Sequence, residues 1–543
     1  MPKKCCIGSR GALLSKYTRN VIPSSTTLTY EGLLSENFFK INKREEYLIN
    51  NIEISSANII NPLNNEKETW IGLLTKSKYD GIGIREPIDI CILIDISGSM
   101  RSNIKNTKKN RLDIAKSSVI KFMQKINDKD NISLIKFNDL AEEVIPFISG
   151  IEFKEKFENF SKDISSLQSK GCTNLYKALD IAYNILEKNG KNKFKRIIFI
   201  TDMEYYEDNK FKKLCLKSSE ENIFITFLGI SEQFNTKLVE QVAKTRGCNY
   251  YVIRNEEDIQ KYLIDDFNYT CFVSDINTRI EILSPNLKID KIIGTGFKRS
   301  EEKNNKEKEE WFPSKHKDYE NKIFKNNVKF IMLYFNRINK NLPKPILANF
   351  CNFLKCERKL ICELKSTFPS NLIKVSDNNY YVEGGMILIK LKNDSILSNN
   401  LCQFNINYIG MIDNKEYNTT VSYNLKKNED IYYSDNNIKE ALCLYFYAKF
   451  NRRYMKICNN ENKNKKYDLN YVISSNFDEE KQKIIKLLEM NYDVNILKNK
   501  KEQLLKKYID NINTMTQKAI EYAKQKNNKN EKKDYSYDDC DDI

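Results

Sequence analysis

Histidine is almost absent from this chain of 543 residues: the single one, His316, stands among Lys, Glu and Asn. That leaves no second imidazole for a zinc cage and no base for a Ser-His-Asp triad, so most familiar hydrolase chemistry is disfavoured. The 14 cysteines show no paired Cys-x-x-Cys spacing, and the nearest cluster, Cys351, Cys356 and Cys362, lacks the spacing of a zinc ribbon. They read as ordinary reduced thiols. No P-loop motif occurs, and no nucleophile and base pair stands out, so the chain reads as a non-enzyme. No apolar run reaches the ~18 residues of a membrane span, and Met1 to Leu14 carries two lysines but no stretch of signal-peptide length. A cytoplasmic address is the expectation. Cys5 and Cys6 beside Lys3 and Lys4 read as an unmodified N-terminus in preference to an acylated one, and Cys540-Asp541-Asp542-Ile543 fails as a prenylation box because its middle residues are acidic.

What is present is enough to fold. Hydrophobic residues make up 41% and charged residues 30%, a balance that excludes a wholly disordered chain, and the length implies two to four units at roughly 100 to 200 residues each. Lys plus Arg outnumber Asp plus Glu by 89 to 73, for a net charge of +16. The surplus is spread thinly, and stretches such as Glu301 to Lys308 mix both signs. It reads as solvation ahead of a nucleic-acid footprint.

The first 30 residues read as a disordered N-terminus, followed over 31–86 by two extended stretches, Tyr47 to Ser55 and Thr69 to Lys76. From Ile88 short apolar runs alternate with amphipathic helices. The runs are Ile88 to Ile94, Asn131 to Phe137, Arg196 to Ile200, Ile223 to Gly229 and Tyr250 to Ile253. Each suits a strand covered on both faces. Leu112 to Ile126 and Leu175 to Leu186 carry apolar stripes at helical spacing, and Lys237 to Lys244 and Glu257 to Leu263 continue the alternation, so a doubly wound α/β unit spans 87–266. Over 267–430 the signals are β: Asn277 to Leu283, Leu287 to Ile293, Val328 to Phe335, Met386 to Leu391, and a hairpin of Cys402 to Tyr408 with Tyr417 to Tyr423. An antiparallel sandwich fits, with a Lys/Glu/Asn-rich insertion at 298–325. The strands before Ile88 are expected to join it, so that the α/β unit is inserted between two parts of one β-sandwich. Residues 436–526 read as three amphipathic helices, a core cover or a partner-binding arm, and 527–543 as a charged, disordered tail.

One constellation carries chemistry. The run Ile88 to Ile94 leads directly into Asp95-Ile96-Ser97-Gly98-Ser99-Met100. A carboxylate and two hydroxyls at spacing two, in a loop with Gly98, are able to converge on one point, and hard oxygens suit a hard cation such as Mg²⁺. The run Arg196 to Ile200 ends in Thr201-Asp202. In an open α/β sheet ordered 3-2-1-4 the first and fourth strands are neighbours and their carboxyl ends flank the ligand crevice, which would bring Asp95 and Asp202 together and call for a cation between them. The loop Gly171-Cys172-Thr173-Asn174 would add the Thr173 hydroxyl. Five side chains against roughly six positions around Mg²⁺ leave one open to solvent or to a partner's carboxylate. The alternative is local: Asp95 capping a turn, Ser97 and Ser99 as local hydrogen-bonders, Asp202 capping a helix.

Asp95-Ile96-Ser97-Gly98-Ser99, followed in order by Thr173 and Asp202, resembles the metal-ion-dependent adhesion site of von Willebrand factor type A domains, over about Ile88 to Asp266. The resemblance implies a Rossmann-like sheet with helices on both faces. It implies Ser97, Ser99 and Thr173 as direct ligands of Mg²⁺ (or Mn²⁺ or Ca²⁺), with Asp95 and Asp202 beside or just behind them. It implies metal-bridged protein binding, with a partner Asp or Glu completing the coordination. The succession of strands, sandwich and helices also resembles larger intracellular proteins with such a domain. Met203 departs from the family's frequent Gly, and Glu204, Glu207 and Asp208 follow it, read here as the solvated start of the next helix. Cys172 is expected to be a buried, inert thiol. The alternative function is RNA or other nucleic-acid binding, or a scaffold whose metal site is structural.

Overall fold

The computed structural model describes residues 25, 28–41, 50–81, 86–104, 109–202, 209–230, 245–253, 256–283, 287–295, 358–376, 379–392, 400–425, 431–458, 472, 474–492 and 497–534. A six-stranded sheet runs, from edge to edge, Ala141–Ser149, Asn131–Phe137, Ile88–Asp95, Phe194–Thr201, Ile223–Gly229 and Asn249–Val252. All neighbours are parallel except the first pair, which is antiparallel. The winding reverses between Ile88–Asp95 and Phe194–Thr201, as the alternation of strands and helices requires.

Ile88–Asp95 is buried at every position because the sheet is covered on both faces. Two helices supply much of that cover. Arg111–Met123 starts at Asn110, whose side chain accepts from the Asp113 amide, and buries Leu112, Ala115, Val119 and Phe122. Leu175–Asn189 starts at Asn174, which accepts from the Lys177 amide, and buries Ala178, Leu179, Ala182 and Leu186. Both are Asn N-caps, which the helical stripes alone do not reveal. The antiparallel edge strand Ala141–Ser149 has no counterpart in the sequence reading. Glu142, Glu143 and Pro146 break its apolar pattern, and an edge position tolerates all three, since one side of the strand needs no ladder partner.

The β-sandwich pairs two sheets. One runs Arg358–Thr367, Asp275–Leu283, Asn400–Gly410, Glu416–Leu425; the other runs Ile289–Ile293, Met386–Leu391, Lys67–Lys76, Asn51–Ile60, Tyr432–Tyr433. The strands that precede the α/β unit therefore do belong to the sandwich. Ile71, Leu73, Ile280, Ile282, Ile387 and Phe404 fill the space between the sheets. The hairpin turn places Asn414 at φ 56°, a conformation asparagine accepts readily, and the Gly410 amide closes it on the Lys415 carbonyl at 2.9 Å. A third, small sheet of Phe38–Ile41, Asn379–Glu383 and Leu372–Ser376 flanks the sandwich.

The helices Asn436–Cys458, Ser475–Asn491 and Lys498–Asp534 cover the outer face of the five-stranded sheet. Trp70 and Leu74 from the sheet meet Ile438, Ala441 and Tyr445 in one core, with the Trp70 and Tyr445 rings 4.9 Å apart. Burial on both faces explains why Lys67–Lys76 is almost continuously buried where a sandwich strand normally alternates. Between the two readings left open for the helices, the packing selects core cover.

Arg196, which is 1% exposed, lies where the α/β unit meets the sandwich. Its guanidinium donates to the carbonyls of Gly247 (2.7 Å) and Cys271 and lies 5.5 Å and 5.8 Å from the Phe224 and Phe368 rings. The Gly247 amide donates to Ser366 Oγ at 2.8 Å.

Two expected ends shift. Disorder over 1–30 reaches too far, since Leu28 is buried and Thr29 Oγ1 accepts from the Gly32 amide to cap the helix Tyr30–Ser35. The tail expected from 527 is helical through Asp534, because a Lys/Glu-rich segment is as compatible with helix as with coil. Val328 to Phe335, the insertion at 298–325, Lys237 to Lys244, Met203 to Asp208, His316 and Cys5 and Cys6 lie outside the described residues.

Beneath the last helix Lys501 Nζ meets Glu440 Oε1 at 2.7 Å, with side chains only 1% and 5% exposed. Removing one partner of such a pair strands a charge, at a cost of about 3–5 kcal/mol. Glu440→Gln is therefore expected to lower the unfolding free energy, read from the urea transition of the helical signal, by about 3–5 kcal/mol. The double change Glu440→Leu, Lys501→Met should restore most of it; a single variant as stable as the wild type would refute the assignment.

Candidate metal centre

Parallel pairing sets Asp95 beside Phe137 and Ile94 beside Ile200, so the strand ends at Asp95 and Thr201 lie side by side. Asp95 is 0% exposed, and both of its oxygens are bound: Oδ1 accepts from the Ser97 amide at 2.8 Å, Oδ2 from Thr201 Oγ1 at 2.6 Å. Burial pushes the Asp95 carboxyl up to about 6, the Thr201 and Ser97 hydrogen bonds pull against that, and the Asp202 charge adds to it. Asp202 follows Thr201 directly and is 1% exposed.

After Asp95 the chain turns through Gly98–Arg101, a short 3₁₀ segment anchored by the buried Met100. The turn holds Ser97 Oγ and Ser99 Oγ 3.1 Å apart. The loop carrying Thr173 is bound against it through the backbone: the Lys170 amide donates to the Ile96 carbonyl at 2.7 Å, and the Gly98 amide to the Gly171 carbonyl at 2.9 Å. Gly171 has φ +76°, and a Cβ there would come within 2.3 Å of Asp139 Oδ2, so this close approach needs glycine. Asp139 Oδ2 also accepts from the Cys172 amide at 2.9 Å, and the Asn138 carbonyl accepts from the Asn174 amide at 2.8 Å.

Of the five side chains picked out in the sequence, Asp95, Ser97 and Ser99 are joined by hydrogen bonds, and Asp202 acts on Asp95 through its charge. Thr173 is half-buried on the adjoining loop, with no hydrogen bond from its hydroxyl to the other four. Three contributors were not anticipated: Thr201 as the second partner of Asp95, Asp139 as the clamp on the Thr173 loop, and Arg111. The last donates through Nη1 to Asp202 Oδ2 at 2.7 Å and to the Ser99 carbonyl at 3.4 Å. Thr201 was visible as the last β-branched residue of its strand. Arg111 and Asp139 had no local signal. Cys172, expected to be buried, is exposed.

The donor set passes a simple test for a small hard cation. Two cis ligands at about 2.1 Å from Mg²⁺ lie about 3.0 Å apart, and the two serine hydroxyls are separated by 3.1 Å. Among the described residues no three His, Cys, Asp or Glu side chains gather into one cluster, so the acids here would act together with hydroxyls.

A doubly wound sheet carries here an acid and paired hydroxyls at the strand ends where its winding reverses. Residues 90–204 match the family model for the von Willebrand factor type A domain, and the chain carries such a domain. Domains of this family generally mediate protein–protein interaction. The chain is 25% identical over 201 residues to the uncharacterized protein YfbK of Escherichia coli, a match covering 36% of this chain and 33% of that one. It is 27% identical over 192 residues to the human voltage-dependent calcium channel subunit alpha-2/delta-4, covering 33% of this chain and 16% of that one. It therefore spans well under two thirds of either relative. Among solved structures it is similar to a von Willebrand factor type A protein from Catenulispora acidiphila, at 12% identity and a TM-score of 0.41, with 87% of this chain and 88% of that one covered. It is also similar to the ArnB paralog VWA2 from Sulfolobus acidocaldarius, at 12% identity and a TM-score of 0.37, with 87% and 99% covered. No helix among the described residues is long and apolar enough to cross a membrane.

A carboxyl held near 6 when folded and at 3.8 when free binds more protons in the folded state. The cation-free protein then loses stability as pH rises through that window. Urea midpoints measured without divalent ions from about pH 4 to about pH 7.5 should show this loss, and Asp95→Asn should reduce it while the buried Asp80, pushed up to about 7, keeps the remainder; equal slopes would dispose of the assignment. Cys172 is expected to take up iodoacetamide in the native protein, while Cys91 and Cys362, whose burial pushes their thiols up to about 12, stay unlabelled. Peptide mass spectrometry reads both, and a Cys172 as inert as Cys91 would contradict its exposed position.

Proposed function

We propose that this is a non-enzymatic interaction protein whose type A domain engages a protein partner through a divalent cation, Mg²⁺ or else Mn²⁺ or Ca²⁺. Ser97, Ser99 and Thr173 supply hydroxyl ligands, and Asp95 and Asp202 supply charge beside or just behind them. An Asp or Glu of the partner fills the remaining position. The observation that carries this reading is the serine pair, 3.1 Å apart beside the buried Asp95 at the end of its strand. The cation's chemistry there is that of a Lewis acid that attracts a carboxylate oxygen. The protein's own groups do the rest. Asp95 fixes the turn through the Ser97 amide, Thr201 fixes Asp95, and the Gly98 to Gly171 backbone bond sets the Thr173 loop against the turn.

The unit 87–266 is the part assigned to binding, and the sandwich and helices are assigned to support. That one relative is a subunit of a larger channel supports an interaction role. A cytoplasmic address is in keeping with nine free thiols among the described cysteines.

Calorimetric titration of the full chain with MgCl₂ is expected to give saturable binding that a Ser97→Ala, Ser99→Ala variant loses. Pull-downs with Mg²⁺ and with EDTA should then retain different partners. Binding that survives the double change, or a partner set indifferent to chelation, would sink the proposal.

A further inference from the structure

The candidate centre already holds a cation of its own. Arg111 Nη1 lies 2.7 Å from Asp202 Oδ2, in a pair whose side chains are 11% and 1% exposed, and the same nitrogen reaches the Ser99 carbonyl at 3.4 Å. It thus bridges the turn that carries the serine hydroxyls and the strand end that carries the second acid. Its position does not serve its own helix. Arg111 is the first residue of Arg111–Met123, where the helix dipole disfavours a positive charge. The backbone holds it there nonetheless, since the Arg111 amide donates to the Ser102 carbonyl at 3.0 Å.

Asp202 is thus already paired with a positive group. We infer that Arg111 is a built-in competitor of the divalent cation for Asp202, so that the metal alone is held weakly. This rests on the metal-dependent reading above and adds how that site is regulated. While the guanidinium holds Asp202, a cation that binds to this carboxylate must displace it.

The test uses the full chain and MgCl₂ alone. Arg111→Gln, which keeps much of the shape and loses the charge, is expected to bind Mg²⁺ at least about tenfold more tightly than the wild type, because a like charge within a few ångströms of a dication is strongly repulsive. Arg111→Lys keeps the charge and is expected to stay within about threefold of the wild type on the same grounds. In the wild type itself, phenylglyoxal labelling of Arg111, read by peptide mass spectrometry, should rise as Mg²⁺ releases the guanidinium from Asp202. That second measurement decides the matter if the glutamine variant does not fold. Equal Mg²⁺ affinity in the wild type and Arg111→Gln, or labelling indifferent to Mg²⁺, overturns the competitor while leaving the metal site standing. Absence of Mg²⁺ binding in both proteins removes the metal site and the competitor together.

Discussion

A carboxylate shut away from water must find partners for both oxygens, and at Asp95 that requirement organises everything around it. One oxygen takes the Ser97 amide and so bends the chain into the turn that presents the two serines. The other takes the Thr201 hydroxyl and so ties the end of a neighbouring strand to the same point. An unsatisfied buried carboxylate costs several kcal/mol. The turn, the register of two strands and the placement of Asp202 are thus consequences of satisfying one side chain. The backbone tie from Gly98 to Gly171 extends the arrangement to a third loop.

The arrangement is built on elements that do not move easily. Ile88–Asp95 and Phe194–Thr201 lie at the centre of the six-stranded sheet, with the Phe199 ring edge-to-face against Phe137 and stacked on Phe227. Groups that must converge within a fraction of an ångström are better held by strand ends than by free loops. The Thr173 loop is exposed at Gly171 and Cys172, and Asp139 and Asn138 brace it.

Much of this was legible beforehand for a definite reason. Strands buried on both faces leave continuous apolar runs, so Ile88–Asp95 and Ile223–Gly229 announced themselves, and Asp-x-Ser-x-Ser is local in sequence. What escaped was non-local or polar. Ala141–Ser149 is an edge strand whose glutamates and proline hide its register. Arg358–Thr367 has only the short apolar run Leu360 to Cys362 between charged residues, and its strand is defined by pairing with Asp275–Leu283. Arg111 and Asp139 act on groups remote in sequence, Asp202 lying far beyond Arg111, and no window of sequence shows such a meeting. Cys172 was misread because its apolar character suggested an interior, whereas the left-handed Gly171 turns the loop outward.

The insertion of the α/β unit into the sandwich has a mechanical consequence. The chain leaves the sandwich after Lys67–Lys76 and re-enters it at Asp275–Leu283, strands of two facing sheets that share one core. A domain strung on a single linker swivels freely and transmits little torque. This one hangs from two crossings and is joined to the sandwich by the Gly247 to Ser366 bond besides. A load applied at the crevice is shared between two covalent paths into the same body, so the unit acts as a lever clamped at its base.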